Sequence, residues 1–215
     1  GRLFPEEVDQ YDPYVIREAL SNAIAHQDYR LGGRITVVEK EDSTLTFQNY
    51  GSFLPVSIEN VILNDAPEQK YRNTFLVNAM MQLNLIDTIG SGIRRMFLKQ
   101  KEKFFPMPDY TLDNNRVQVK FTGKVLSMDY ARKLAELPDL SLTNIIALDQ
   151  VQKNQLISDD DAAELRKKGL IEGRKPNYCI SANVAEQTDQ QAEYLEMRGL
   201  DDQHYQGLIL EYLQV

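Results

Sequence analysis

Apolar positions recur at helical spacing from Tyr14 to Ala25, and the pattern switches to period two near Arg34 and again near Asp109. In the first segment Ile16, Ala19, Leu20, Ala23 and Ile24 gather on one side of a 3.6-residue turn, while Glu18, Asn22 and His26 form a polar stripe on the other. Asp12-Pro13 supplies the start of this helix, with Asp as cap and Pro at the first helical position, where no N–H is needed. Residues 34–39 and 44–49 are alternating, β-branched runs joined by a polar turn at Glu41, Asp42 and Ser43, and they predict a hairpin. Residues 50–55 read as a loop. Tyr71-Arg72-Asn73 opens a helix with Phe75, Leu76, Ala79, Met80 and Leu83 on one side. A further helix follows Gly90-Ser91-Gly92 and carries Ile93, Met96 and Phe97 to about Phe104, where Pro106 and Pro108 end it. Residues 109–112 and 116–121, turned by Asp113, Asn114 and Asn115, predict a second hairpin. This order implies an α+β layer with helices on one face of a mostly antiparallel sheet.

Past Gly123 the pattern becomes helical. Residues 128–137, 141–152 and 158–168 predict three short helices, and residues 170–172 and 177–181, joined across Gly173 and Pro176, predict a compact hairpin. Three helices followed by a hairpin is the order of a winged helix. Residues 185–198 add another helix, and residues 201–213 read as the truncated first helix of a further unit. The expected division is 1–124, 125–199 and 200–215.

A length of 215 residues with 42% hydrophobic and 26% charged content suits two modest domains. Cys179 has no second cysteine to bridge, and no apolar run reaches the roughly 20 residues a bilayer span needs, so a cytoplasmic protein without membrane contact is expected. The chain opens on Gly1 without an initiator Met or signal segment, which reads as a piece of a longer protein. Net charge is −8, but residues 1–124 carry 15 Lys and Arg against 16 Asp and Glu, whereas residues 125–215 carry 9 against 16. The second half repels polyanions at long range, so nucleic-acid contact there requires a local basic cluster. Arg166, Lys167, Lys168, Arg174 and Lys175 supply one, at a helix end and a wing tip. The same helix, with Ser158 and three Asp residues at its start and its basic residues at its end, also complements its own dipole.

Three short motifs carry candidate chemistry. Glu18-x-x-x-Asn22 places a carboxylate and an amide one turn apart, a spacing able to hold a metal and a phosphate but equally able to form the solvent face of an amphipathic helix. Asn49-Tyr50-Gly51-Ser52-Phe53 offers an amide beside a glycine loop, and a hairpin end needing one Gly explains the loop equally well. Gly90-Ser91-Gly92 precedes a helix, whose unpaired N–H groups favour a phosphate, with Arg94 and Arg95 in its first turn.

The Glu18–Asn22 motif resembles the N-box of the Bergerat-type (GHKL-like) ATPases, the superfamily of gyrase B, sensor histidine kinases and MutL. That resemblance implies an α/β sandwich with a mostly antiparallel sheet. It further implies ATP and Mg2+ as cofactors, Asn22 as metal ligand and Glu18 as general base. It also implies a nucleotide site of Asn22, His26, Asn49, Gly51, Gly90, Ser91, Gly92 and Arg94. Asn49 stands where that superfamily carries an acid for the adenine amino group, and Phe53 replaces its second Gly, so charge and clearance are both reduced. Together with His26, Asp28, Tyr29, Tyr71-Arg72-Asn73 and the 87–96 segment, these motifs resemble a narrower group, the RecG-related ATP-dependent DNA helicase C-terminal family. Its members are bacterial transcriptional regulators, often with an N-terminal AlbA-like, Schlafen-type domain, then a degenerate Bergerat module and winged helices.

By that resemblance the expected function is nucleotide sensing coupled to DNA binding, with nucleotide and DNA as partners and a homodimer compatible with them. The rival expectations are a slow Mg-dependent ATPase using Glu18 and a non-catalytic interaction module with a decayed site. A helicase motor does not fit, because no Gly-x-x-x-x-Gly-Lys-Ser/Thr loop is present. No long glycine-rich lid is evident between Gly51 and Gly90.

Overall fold

The computed structural model describes residues 9–55, 57–64, 71–86, 92–113 and 115–181. The helices expected over 185–198 and 201–213 lie outside the described residues. Contacts divide the chain into one compact unit from Gln10 to Lys124 and a second that includes the chain from Val125 onward.

The first unit runs α1 (Pro13–His26), β1 (Thr36–Lys40), β2 (Thr44–Tyr50), α2 (Ile58–Asn64), α3 (Thr74–Gln82), α4 (Gly92–Glu102), β3 (Asp109–Asp113) and β4 (Arg116–Thr122). The four strands form one antiparallel sheet in the order β1-β2-β4-β3, so the two sequence-local hairpins join through β2 and β4. Leu45 lies opposite Phe121, Phe47 opposite Val119 and Asn49 opposite Val117. Period-two alternation therefore puts one mainly apolar row of β2 and of β4 on the face that α1 and α4 cover, while all of β1 is exposed. Val15 and Ala19 of α1 and Met96 of α4 close the core over Leu45, Phe47, Val119 and Phe121. Gln100, buried in α4, donates from Nε2 to the carbonyls of Pro106 at 2.9 Å and Thr122 at 3.0 Å, fastening the helix to the end of β4. The Asp12 side chain accepts from the Tyr14 N–H at 2.8 Å, as the Asp-Pro signal implied.

The buried faces of two helices differ from the sequence expectation. In α1 Ile16 and Leu20 are each 38% exposed, and the helix instead buries Val15, Glu18, Ala19, Ser21, Ala23 and Ala25. The polar stripe thus faces inward at Glu18, and two of the apolar residues face solvent. In α3 Phe75 is 90% exposed and Leu83 69%, while Val77 and Met80 are buried. Helix α2 has no counterpart among the sequence-predicted elements.

The second unit contains α5 (Met128–Glu136), α6 (Leu142–Gln152), α7 (Asp159–Lys167) and a hairpin of β5 (Ile171–Arg174) and β6 (Asn177–Ile180). Ser127, Ser141 and Ser158 each cap their helix by accepting an N–H from Tyr130, Asn144 and Asp161. Tyr130, Ile145, Leu148, Leu165 and Leu170 are almost completely buried and form its core. Gly169 closes α7 at φ +67°, a left-handed position that suits glycine, and the next N–H, of Leu170, donates back to Leu165 at 2.9 Å. Among the described residues no helix is long and apolar enough to cross a membrane.

Candidate nucleotide site and its polar support

Helix α1 presents Ala19, Asn22, Ala23 and His26 to a cavity of about 50 Å3 between the helices and the sheet. Asn49, the last inward residue of β2, lines the same cavity and is only 5% exposed. Phe47 and Val119 of the sheet and Ile93 and Met96 of α4 make the remaining wall largely apolar, and the loop after β2 closes it with Ser52, Phe53, Leu54 and Pro55. Three of the sequence-predicted residues, Asn22, His26 and Asn49, therefore come together on one cavity. The Asn49 amide nitrogen donates to the Tyr50 carbonyl at 3.2 Å, which turns its oxygen into the remaining acceptor.

Glu18 is 8% exposed, and its Oε1 accepts from Asn22 Nδ2 at 3.2 Å. That bond leaves the Asn22 oxygen as the end able to ligate a hard cation. The Glu18 carboxylate also lies against Gly92, the first residue of α4: a Cβ built on Gly92 would overlap it. Glycine at this position is thus a requirement of the close approach between the acid and the helix start. Gly90 and Ser91 lie outside the described residues. Arg94 is directed elsewhere from the expected anion, since its guanidinium donates to the Ile62 carbonyl in α2 at 2.9 Å.

Sequence reasoning left Asp28 and its neighbours without a role, and the fold supplies one. Asp28 accepts from Arg30 Nε at 3.0 Å, from Arg30 at 2.9 Å on its other oxygen, and from Arg72 at 3.3 Å. The Arg30 hydrogen bond holds its carboxyl down at about 2; burial opposes the shift, and the Arg72 charge adds the smallest contribution. Gln27, 1% exposed, donates to the Gly33 carbonyl at 2.9 Å and accepts from the Tyr50 N–H at 2.8 Å. Asn73 occupies the cap position of α3 but makes no cap bond there; it donates instead to the carbonyls of Ala25 and Gln27 at 3.0 and 2.8 Å. Tyr71 stacks on His26 with ring centroids 5.8 Å apart. The triplet Tyr71-Arg72-Asn73 thus docks onto the C-terminal end of α1 and fixes the residues that line the cavity. The polar identity of all three residues beside one another was the available sequence signal.

In the second unit the basic cluster is partly engaged. Arg166 donates to the Gly173 carbonyl and lies 5.1 Å over the Tyr178 ring. Lys175 pairs with Asp159 at 2.8 Å and Lys168 with Glu164 at 3.2 Å. Lys167 and Arg174 are exposed, with no ion pair or hydrogen bond from their side chains among the described residues.

The chain spans less than half the length of a solved structure that it resembles, the DIP2311 protein from Corynebacterium diphtheriae. It aligns over 82% of this chain and 42% of that one, with a TM-score of 0.51 and 18% identity, a likeness of fold. No curated protein matches the chain. Residues 33–121, from just before β1 nearly to the end of β4, match the family model described as "Putative ATP-dependent DNA helicase recG C-terminal". Over those residues, less than half of its length, the chain is similar to that RecG C-terminal family.

Proposed function

We propose that the first unit is a degenerate Bergerat-type nucleotide sensor and that the second is a winged helix contacting DNA, the two forming part of a transcriptional regulator. The observation that carries this reading is the convergence of Asn22, His26 and Asn49 on one cavity, with Glu18 beside Asn22 at the start of α4. ATP fits the donor set: Asn49 offers an acceptor for an exocyclic amine, and the α4 start favours an anion. Mg2+ fits the Asn22 oxygen, and when bound it would neutralise phosphate charge. Glu18, held by Asn22 and withdrawn from solvent, orients the amide and is the acid placed to accept a proton from a water. That placement favours slow hydrolysis as the second reading, with Glu18→Ala removing turnover while leaving binding.

The test is a calorimetric titration of the unmutated protein and of Asn22→Ala with ATP, with and without Mg2+. Affinity should fall without the metal in the unmutated protein, and the two curves should coincide in the variant, whose helix tolerates Ala well. Equal affinity with and without Mg2+ in the unmutated protein would remove Asn22 from the site.

A further inference from the structure

We propose that Arg72, anchored on Asp28, is a latch that holds the loop Gly51–Pro55 against the cavity, and that its release is the step that admits a ligand. The inference rests on the cavity being the ligand site of the preceding reading. The cavity volume, about 50 Å3, holds only a few waters, whereas small-molecule sites run to roughly 300–1,000 Å3. A purine-sized ligand therefore needs one wall to move. Most of the lining sits on α1, α4 and the sheet, whose positions the core and the strand ladders fix; the 51–55 wall alone has no regular structure.

The attachments of that wall are few. Gly51 donates its N–H to the Asn115 carbonyl at 2.8 Å, and Arg72 donates to the Ser52 carbonyl at 3.0 Å and to its hydroxyl at 3.1 Å. Among the described residues no other hydrogen bond holds positions 52 to 55. The far end of the latch is secure, because Asp28 is bound by Arg30 and its own N–H donates to the Tyr50 carbonyl at 2.7 Å. The latch itself is imperfect: Arg72 Nε is buried with no acceptor among the described residues. An unsatisfied buried donor raises the energy of the closed state and would find water on opening. Gly51 supplies the pivot, at φ +123°, and a Cβ there would press on both Arg72 Nε and the His26 carbonyl.

A restraint that keeps the open, binding-competent state scarce lowers apparent affinity in proportion to the fraction open, so breaking it should tighten binding. A scaffold role makes the opposite prediction. Arg72→Met keeps the aliphatic stem and deletes every donor; Arg72→Lys keeps charge without the bridge, and Asp28→Asn weakens the anchor from the other side. Hydrogen exchange followed by NMR should show the Gly51 amide, the one hydrogen-bonded amide of the loop, exchanging about tenfold faster in Arg72→Met, one hydrogen bond's worth, with α6 unchanged. Arg72→Lys and Asp28→Asn should fall between, and they carry the test if Arg72→Met does not fold. Titration with ADP and Mg2+ should then give affinity about five- to tenfold tighter in Arg72→Met. Unchanged exchange at the Gly51 amide overturns the latch, as does accelerated exchange with equal or weaker ADP binding. If ADP binds to none of the proteins, the nucleotide reading fails, and the latch stands or falls on the exchange result.

Discussion

Asn73→Ala should be among the most costly single substitutions in the first unit, although Asn73 lies in no hydrophobic core. The last carbonyls of a helix have no partner within it, and Asn73 Nδ2 takes two of those at the end of α1, on Ala25 and Gln27, each only 1% exposed. Truncation to Ala leaves both oxygens without their donor, at about 1–3 kcal/mol for each acceptor that water cannot reach. Some water will enter the space left behind, so the expected total is about 2–4 kcal/mol. For a unit of this size that lowers Tm by roughly 10 °C. Asn73→Asp keeps the shape but cannot donate, and it sets a carboxylate against two carbonyl oxygens, so it should be no more stable than the Ala variant. Urea unfolding followed by far-ultraviolet circular dichroism and by tyrosine fluorescence, with each variant compared with the unmutated protein, measures both variants. A loss below about 0.5 kcal/mol for Asn73→Ala, within the scatter of ordinary surface substitutions, would refute the capping role. So would an Asp variant more stable than the Ala variant.

Asp28 gives a pH signature: its carboxyl, held at about 2 first by Arg30, contributes stability that is complete above the ordinary carboxylate range and is lost as pH falls toward 2. Between pH 5 and 2 the unmutated protein should therefore lose more stability than Asp28→Asn, and parallel pH profiles from thermal melts would show that the Arg30 and Arg72 contacts do not form. DNA affinity of the second unit should be weak with a log–log salt slope of about −2, because of the five basic residues of the cluster only Lys167 and Arg174 have no side-chain ion pair or hydrogen bond among the described residues. Asp159→Asn, which frees Lys175, should tighten binding and steepen the slope by about 1; no response to that change, measured by fluorescence anisotropy across a salt series, would place the contact on another surface.

What the sequence disclosed was mostly short-range. The Ser158 cap of α7 and the Asp12-Pro13 start of α1 depend on residues two or three positions apart, and each lies where the sequence signal placed it. Strand alternation likewise located β1 to β4, because a one-residue slip would invert every inward side chain. The face of α1 was misread for a physical reason. Polarity alone assigns the apolar side to the core, but this helix turns a carboxylate and an amide toward its neighbours and leaves Ile16 and Leu20 in solvent. The reach of Asn73 back to α1 crosses more than 45 positions and ends on backbone atoms, which no periodicity reports. The Lys175–Asp159 pair arises only because the hairpin folds along α7, so counting cations overstated what is available to a phosphate.

The distribution of polar residues at the end of α1 separates stability from purpose. Burying Glu18, Gln27, Asp28 and Asn49 carries a desolvation cost that their hydrogen bonds at best offset, and apolar residues of similar volume would hold the same layers together at least as well. Stability therefore does not explain why this corner of the unit is polar while the neighbouring contact of Val15, Met96 and Phe121 is not. Position does. Gln27, Asp28, Arg72 and Asn73 fix the helix end and the loop from behind, whereas Asn22, His26 and Asn49 face the cavity that those two elements enclose. A set of polar side chains that only braced the fold would have no need of a second set pointing inward from the same helix. On the proposed reading, a ligand with a donor for Asn49 and an anionic end near Gly92 would give both sets a use, and the bracing set would then govern how readily that ligand is admitted.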